Sequence, residues 1–156
     1  MGEVVQDAAP YPRELVRTVT LKDGFSARVR PIRPDDEPRL ADLYDRLSRH
    51  TAYQRFFTVQ LVGVGRYEPS EEPDTAEVAF VVEDGWQGRG LGGILLDAVL
   101  GAAEARGIRR FRADVQADNH RMLRLLSTRT QVEDRKTEEG VTGLRFRGAP
   151  VDATPR

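Results

Sequence analysis

Apolar positions recur along this 156-residue chain with two periods, and they predict an alternation of strands and helices. Residues 16–21 and 26–32, rich in apolar and β-branched positions, read as strands on either side of Lys22-Asp23-Gly24, which predicts a hairpin. Arg33-Pro34-Asp35-Asp36 then stops the strand and offers a carboxylate cap for a helix over 37–48. Leu40, Leu43, Tyr44 and Leu47 fall on one face of that helix. Residues 51–57, carrying Tyr53, Phe56 and Phe57, read as a second, short helical turn. A strand over 61–67 leads through a loop rich in Pro and Glu, 68–74, to the most apolar strand, 76–82, which its composition places at the centre of the sheet. A helix over 90–106 follows, closed by Gly107, with Ile94, Leu95, Ala98, Val99 and Ala102 as its buried stripe. Residues 108–115 read as a strand, and Asp118 or Asn119 caps a helix running to 127. Residues 131–137 and 141–147 close the fold as a hairpin around Glu138-Glu139-Gly140. The pattern predicts a flexible arm over 1–13, a single domain over 14–147 and a disordered tail over 148–156.

Composition narrows the function classes. A chain of this length buries ~68–70% of the surface its unfolded form exposes. Its 39% hydrophobic content excludes a disordered or collagen-like chain. No apolar run approaches the ~18 residues that span a bilayer, and Met1 to Gln6 carries neither a basic leader nor an apolar core. A cytoplasmic domain that engages no membrane is therefore expected. Cysteine is absent, which excludes disulfides, thiolate metal sites and thiol catalysis, and His50 and His120 alone leave little for a histidine-rich metal site. The net charge of −1 hides a segregated distribution. Residues 67–88 hold seven acids and no Lys or Arg, whereas residues 106–129 hold seven arginines against Asp114 and Asp118. Without a dominant positive face, nucleic acid is not an expected partner. Solvated surface accounts for both clusters in the plainest reading; the sharper one sets an acidic lobe toward a cationic substrate and a basic lobe toward an anionic cofactor.

The chemistry concentrates where strand 76–82 gives way to Gln87-Gly88-Arg89-Gly90-Leu91-Gly92-Gly93 and an apolar helix. Glycines let a backbone approach an anion, and the first N–H groups of a helix have no internal acceptor, so they point at a ligand with the positive end of the helix dipole behind them. Arg89 adds a charge. Gly88, Gly90 and Gly93 also satisfy G-x-G-x-x-G, with Asp114 about 20 residues on, as a dinucleotide fold requires. The context argues against that fold: residues 83–87 separate the strand from the glycines, and the chain closes as a hairpin instead of adding βα units. A P-loop fails because no Gly-Lys-Ser/Thr follows.

Gln87-Gly88-Arg89-Gly90-Leu91-Gly92 resembles the Gln/Arg-x-x-Gly-x-Gly/Ala signature of the GNAT superfamily of acetyl-CoA-dependent N-acetyltransferases. The resemblance runs from about Ala27 to Phe146. "YQRFF", "AEVAFVVEDGWQGRGLGGILL" and "ADNHRMLRLL" are further similar to the GNAT domain of bacterial protein-lysine acetyltransferases that modify acyl-CoA synthetases and related enzymes. The resemblance implies an α/β fold with a central mixed sheet flanked by helices. It implies that Gln87, Gly88, Arg89, Gly90, Leu91, Gly92 and Gly93 hold the pyrophosphate of coenzyme A, that the main chain of Phe80, Val81 and Val82 binds the pantetheine arm, and that Asn119 touches that arm. It also puts Arg89 and Arg124 near the 3′-phosphate.

For catalysis, an incoming ammonium must lose a proton before it attacks the thioester. The resemblance puts Glu77 in the role of general base, and Val78 and Phe80 are expected to raise its pKa from ~4.3; the alternative is an exposed carboxylate that only solubilises the loop. Without Cys, direct attack in a ternary complex replaces a thiol acyl-enzyme. Acceptors are a protein lysine, as in an acyl-CoA synthetase, or a small amine. A catalytically weak acyl-CoA-binding module is the reading from a different class. Three departures from the family pattern stand out. Leu126 occupies the position of the usual thiolate-protonating Tyr, Thr130-Gln131 replaces a Gly-Phe, and a helix-strand segment is missing after Thr58. That loss predicts an exposed sheet edge, which a homodimer would cover.

Overall fold

The structure is a computed structural model that describes residues 10–47 and 60–149. Strands β1 (Arg17–Thr20) and β2 (Ser26–Val29) form an antiparallel hairpin that stands as a sheet of its own. Helix α1 (Glu37–Leu47) follows, then β3 (Gly63–Pro69) and β4 (Thr75–Val82). Helix α2 (Leu91–Glu104) crosses over to β5 (Arg110–Gln116), and helix α3 (His120–Arg129) leads into β6 (Thr130–Glu138) and β7 (Val141–Gly148). The five-stranded sheet has the order β3-β4-β5-β7-β6, with β4 and β5 parallel and every other pair antiparallel. One parallel pair is not a doubly wound sheet, so the dinucleotide-binding alternative fails on topology.

One face of the sheet is apolar and carries the helices. Ala76, Val78, Phe111, Ala113, Val115, Leu144 and Phe146 pack beneath Leu96, Val99, Leu100 and Ala103 of α2 and Leu123 and Leu126 of α3. Phe111 and Phe146 sit side by side on β5 and β7, stacked at 5.7 Å. The period-two alternation of a strand puts every other residue on the opposite face. There the sheet shows Glu68, Glu77, Arg112 and Arg145 in one cross-strand row.

The N-terminal half is fastened by a buried ion pair. Arg30 holds Asp36 with two hydrogen bonds, 2.6 and 2.7 Å, and the Arg33 N–H donates to the same carboxylate at 2.7 Å. Asp36 is 1% exposed, and its bonds to Arg30 hold its pKa down to about 2. Arg46 then ties α1 to the far end of β4. It pairs with Asp42 on its own helix, donates from Nε to Glu83 at 3.0 Å and from Nη2 to the Leu61 carbonyl at 2.5 Å.

Several expectations need correction. The strand over 76–82 is interior but not central: β5 occupies the middle, and β4 owes its apolar character to packing under α2. The buried face of α2 is Leu91, Gly93, Leu96, Val99, Leu100 and Ala103, which shares only Val99 with the expected stripe. A helix apolar around most of its circumference leaves its buried face undetermined by periodicity. On α1, Leu43 is fully buried while Tyr44 is 52% exposed. The closing hairpin forms as expected, with Glu139 (φ 50) and Gly140 (φ 79) turning left-handed as a tight two-residue loop requires. The expected helical turn over 51–57 and the missing segment after Thr58 adjoin or fall in residues 48–59, outside the described residues. Among the described residues, no strand pairs with the outer edge of β3.

Candidate active site

The site is organised by a fork in the sheet. β4 and β5 pair through only three residues on each, Thr75↔Arg110, Ala76↔Phe111 and Glu77↔Arg112, and then part. β3 accompanies β4 to Val82, so one edge of β4 is used throughout while the other, from Val78 onward, faces the gap. Alternate N–H and C=O groups along that edge are left for a ligand. At the fork lies a cavity of about 270 Å³ lined by Arg66, Glu68, Glu77, Ala79, Arg112 and Asp114 among others.

The open end of the fork leads to the glycine loop. After Val82 a 3₁₀ turn (Asp84–Trp86) reverses the chain, and the Gln87 side chain closes it by donating to the Val82 carbonyl at 3.1 Å. Gly88 (φ 78) and Gly90 (φ 92) are left-handed, conformations that cost a side-chain-bearing residue about 1–2 kcal/mol. Gly90 is the N-cap of α2 and offers no side-chain cap, and the first turn of α2 holds no acid. Among the described residues, the N–H groups and dipole at this helix start therefore have no side-chain cap and no first-turn carboxylate to neutralise them.

The later glycines serve packing. A Cβ on Gly92 would stand 3.3 Å from Leu125, and one on Gly93 would stand 2.7 Å from the Arg129 guanidinium carbon. Gly92 and Gly93 thus let α3 lie against the start of α2. Gly93 is buried in that contact, which sets it apart from the loop that Gln87 to Gly90 form.

The other expected cofactor residues divide. Arg89 is spent on structure: it pairs with Asp23 at 2.8 Å and lies over the Trp86 ring at 4.5 Å, with Phe25 edge-on to Trp86. Asn119 caps α3, its Oδ1 accepting from the Met122 N–H at 3.2 Å. Arg124 is exposed on α3. Phe80, Val81 and Val82 are half-buried and lie along the open edge of β4. Two cations that the sequence did not single out, Arg121 being one of the seven arginines of the basic cluster, lie at the loop instead. Lys22, from the hairpin turn, runs across Gly90, where a Cβ would stand 3.5 Å from its Cε, and its N–H donates to the Arg89 carbonyl. Arg121 donates to Gln87 Oε1 at 3.2 Å, beside Gly88. No local sequence signal marks either one, because tertiary packing brings them there.

Glu77 stands at the crotch of the fork. Its side chain is 63% exposed, and Arg112 donates to its Oε1 at 3.1 Å. The expected apolar surroundings are not its own: Val78 points to the opposite, helix-covered face and is buried there. Arg112 is also held by Glu72, which forms a two-oxygen pair with Arg145 at 3.1 Å on each side. Hydrogen bonding to Arg145 lowers the Glu72 pKa below its ordinary value. The loop over 68–74 is thereby pinned across the outer face of the sheet. A second hollow of about 410 Å³, lined in part by Glu68, Glu71, Glu72 and Glu77, continues from the first. Leu126, at the position of the absent Tyr, is fully buried in the core and offers no proton donor.

An anion-ready helix start at the mouth of a strand fork agrees with the comparisons to known proteins. The Acetyltransferase (GNAT) family profile matches residues 18–129. The chain belongs to the GNAT acetyltransferase family. It is similar to the GNAT domain of S. lividans PAT, with 31% identity and a TM-score of 0.73 over 88% of this chain and 99% of that one. It is 39% identical over 80 residues to the acetyltransferase Pat of Mycolicibacterium smegmatis, a match covering 51% of this chain and 24% of that protein. A cAMP-binding acyltransferase from Mycobacterium smegmatis shares the fold, with 23% identity and a TM-score of 0.63 over 92% of this chain and 51% of that one. The chain thus spans about a quarter of the curated relative's length. Acetyl-CoA is the cofactor of GNAT acetyltransferases, and a helix start with no side-chain cap and no acid in its first turn fits its pyrophosphate. Among the described residues there is no candidate metal cluster, and no helix is long and apolar enough to cross a membrane.

Proposed function

We propose that this chain moves an acetyl group from acetyl-CoA to a primary amine, a protein lysine side chain, by direct attack in a ternary complex. The observation that carries this reading is the fork between β4 and β5, which joins the glycine loop at one end to Glu77 at the other. Five residues of strand, roughly 17 Å, separate Glu77 from the end of β4. The pyrophosphate lies on the backbone of Gln87 to Gly92, and the pantetheine arm lies along the main chain of Phe80 to Val82. Asn119 and Arg124 border that path from α3.

Glu77 is the general base. Arg112 occupies its Oε1, and Oε2 has no protein partner among the described residues. That second oxygen takes a proton from the incoming ammonium; the neutral amine then attacks the thioester carbonyl, the adduct's nitrogen gives up its second proton to water, the C–S bond breaks and coenzyme A leaves as a thiolate. With Leu126 buried, solvent supplies the thiolate's proton. The hollow around Glu77 opens onto the sheet face and continues toward Glu68 and Glu71, which favours a side chain presented on a protein over an enclosed small amine. An acyl-CoA synthetase is the proposed type of acceptor, and the cytoplasm the proposed compartment.

Mass spectrometry of a purified lysine-bearing acyl-CoA synthetase incubated with acetyl-CoA tests this reading. Acetyl-lysine formed by the wild-type chain and lost with Glu77→Gln is the expected result. Coenzyme A binding without any acetyl transfer, to protein or to small amines, overturns it in favour of a binding module.

A further inference from the structure

Charge compensation separates the four cations around the glycine loop into two kinds. Arg89 is neutralised by Asp23 at 2.8 Å, and Arg129, packed on Gly93, is neutralised by Asp97 at 2.8 Å. Lys22 makes no ion pair among the described residues. Arg121 bonds only the neutral Gln87 amide. These two lie at different glycines of the loop, Lys22 at Gly90 and Arg121 at Gly88. Uncompensated cations gathered at an uncapped helix start repel one another and the helix dipole, unless an anion joins them.

We propose that Lys22, on the tip of the β1–β2 hairpin, and Arg121, on α3, are the side chains that bind the cofactor's phosphates, while Arg89 is a structural residue that fastens the hairpin to the loop. This rests on the acetyl-CoA reading of the loop. The hairpin then has a task in the site: Leu21 is buried, the Lys22 N–H is bonded to the Arg89 carbonyl, and the Asp23–Arg89 pair with Phe25 and Trp86 holds the tip in place. Those contacts aim the Lys22 side chain across Gly90. An N-terminal hairpin outside the main sheet thus completes a site whose backbone lies on the β4–α2 turn.

Calorimetric titration of the full chain separates this inference from the reading beneath it. Wild type is titrated with coenzyme A and with S-acetyl-pantetheine, which lacks the phosphates. Lys22→Met and Arg121→Met are each expected to weaken coenzyme A binding about tenfold or more, the scale of a lost charge-assisted bond to phosphate. S-acetyl-pantetheine binding should be unmoved, and Lys22→Arg should restore most of the affinity for coenzyme A. The melting temperature should stay constant for Lys22→Met and fall for Arg89→Met. Wild-type affinity in both methionine variants overturns the inference while leaving the cofactor reading intact. A wild-type chain that binds no coenzyme A overturns both.

Discussion

The two ends of the β4–β5 fork use charge in opposite ways. At the glycine loop, Lys22 and Arg121 stand beside the start of α2, and neither forms an ion pair among the described residues. At Glu77, on ordinary extended strand, carboxylates and guanidinium groups form a chain of pairs: Arg112 holds Glu77, Glu72 holds Arg112, and Arg145 holds Glu72. The Glu77 end is held by carboxylate–guanidinium pairs and leaves Glu77 Oε2 open to an incoming cation among the described residues.

The contrast breaks most sharply at Glu77. Replacing it by Gln removes the proton acceptor while keeping shape, and turnover with saturating acetyl-CoA should fall by about 10²–10⁴-fold with donor affinity retained. Unchanged turnover would assign the base elsewhere. At the other end, Gly90→Val forces a β-branched residue into the left-handed region and crowds Lys22. About a five- to thirtyfold loss of coenzyme A affinity is expected, the equivalent of 1–2 kcal/mol of strain in the bound loop, and calorimetry reads it.

A buried charge pair away from the fork serves as the control. Asp36→Ala leaves the half-buried Arg30 without its carboxylate and should cost about 1.5–3 kcal/mol in denaturant unfolding. Because the native pKa of Asp36 is about 2 against an ordinary 3.8, the pair stabilises the fold fully above pH 3.8. That stabilisation is lost as pH falls toward about 2. Wild type should lose stability through that window more steeply than Asp36→Ala. The smallest effect belongs to Glu72→Gln. Its pair with Arg145 is on the surface, so the melting temperature should hardly move, whereas freeing the 68–74 loop should alter the KM for a lysine acceptor without changing that for acetyl-CoA.

The same division governs what could be read from the sequence. The glycine loop was legible because its requirements are local: left-handed positions at Gly88 and Gly90, then a helix start. The hairpins were legible for the same reason. The outer face was not, since Glu72 and Arg145 are 73 residues apart and no periodicity pairs them. Arg89 looked like a phosphate ligand because Asp23, which neutralises it, lies across a tertiary contact. Lys22 went unnoticed for the converse reason: only folding carries it to Gly90. On α2 the apolar surface extends almost all round, so the pattern established the helix but not its buried face. Family resemblance supplied the role of Glu77; geometry adds which of its oxygens is free.

Amide NMR during titration with acetyl-CoA tests the central claim most directly. The account predicts shifts concentrated at Gly88, Gly90 and Gly92 and along Val78 to Val82, with the Arg112 and Arg145 region unmoved until an amine is added. Binding that shifts the outer sheet face and leaves the glycine loop untouched would contradict it.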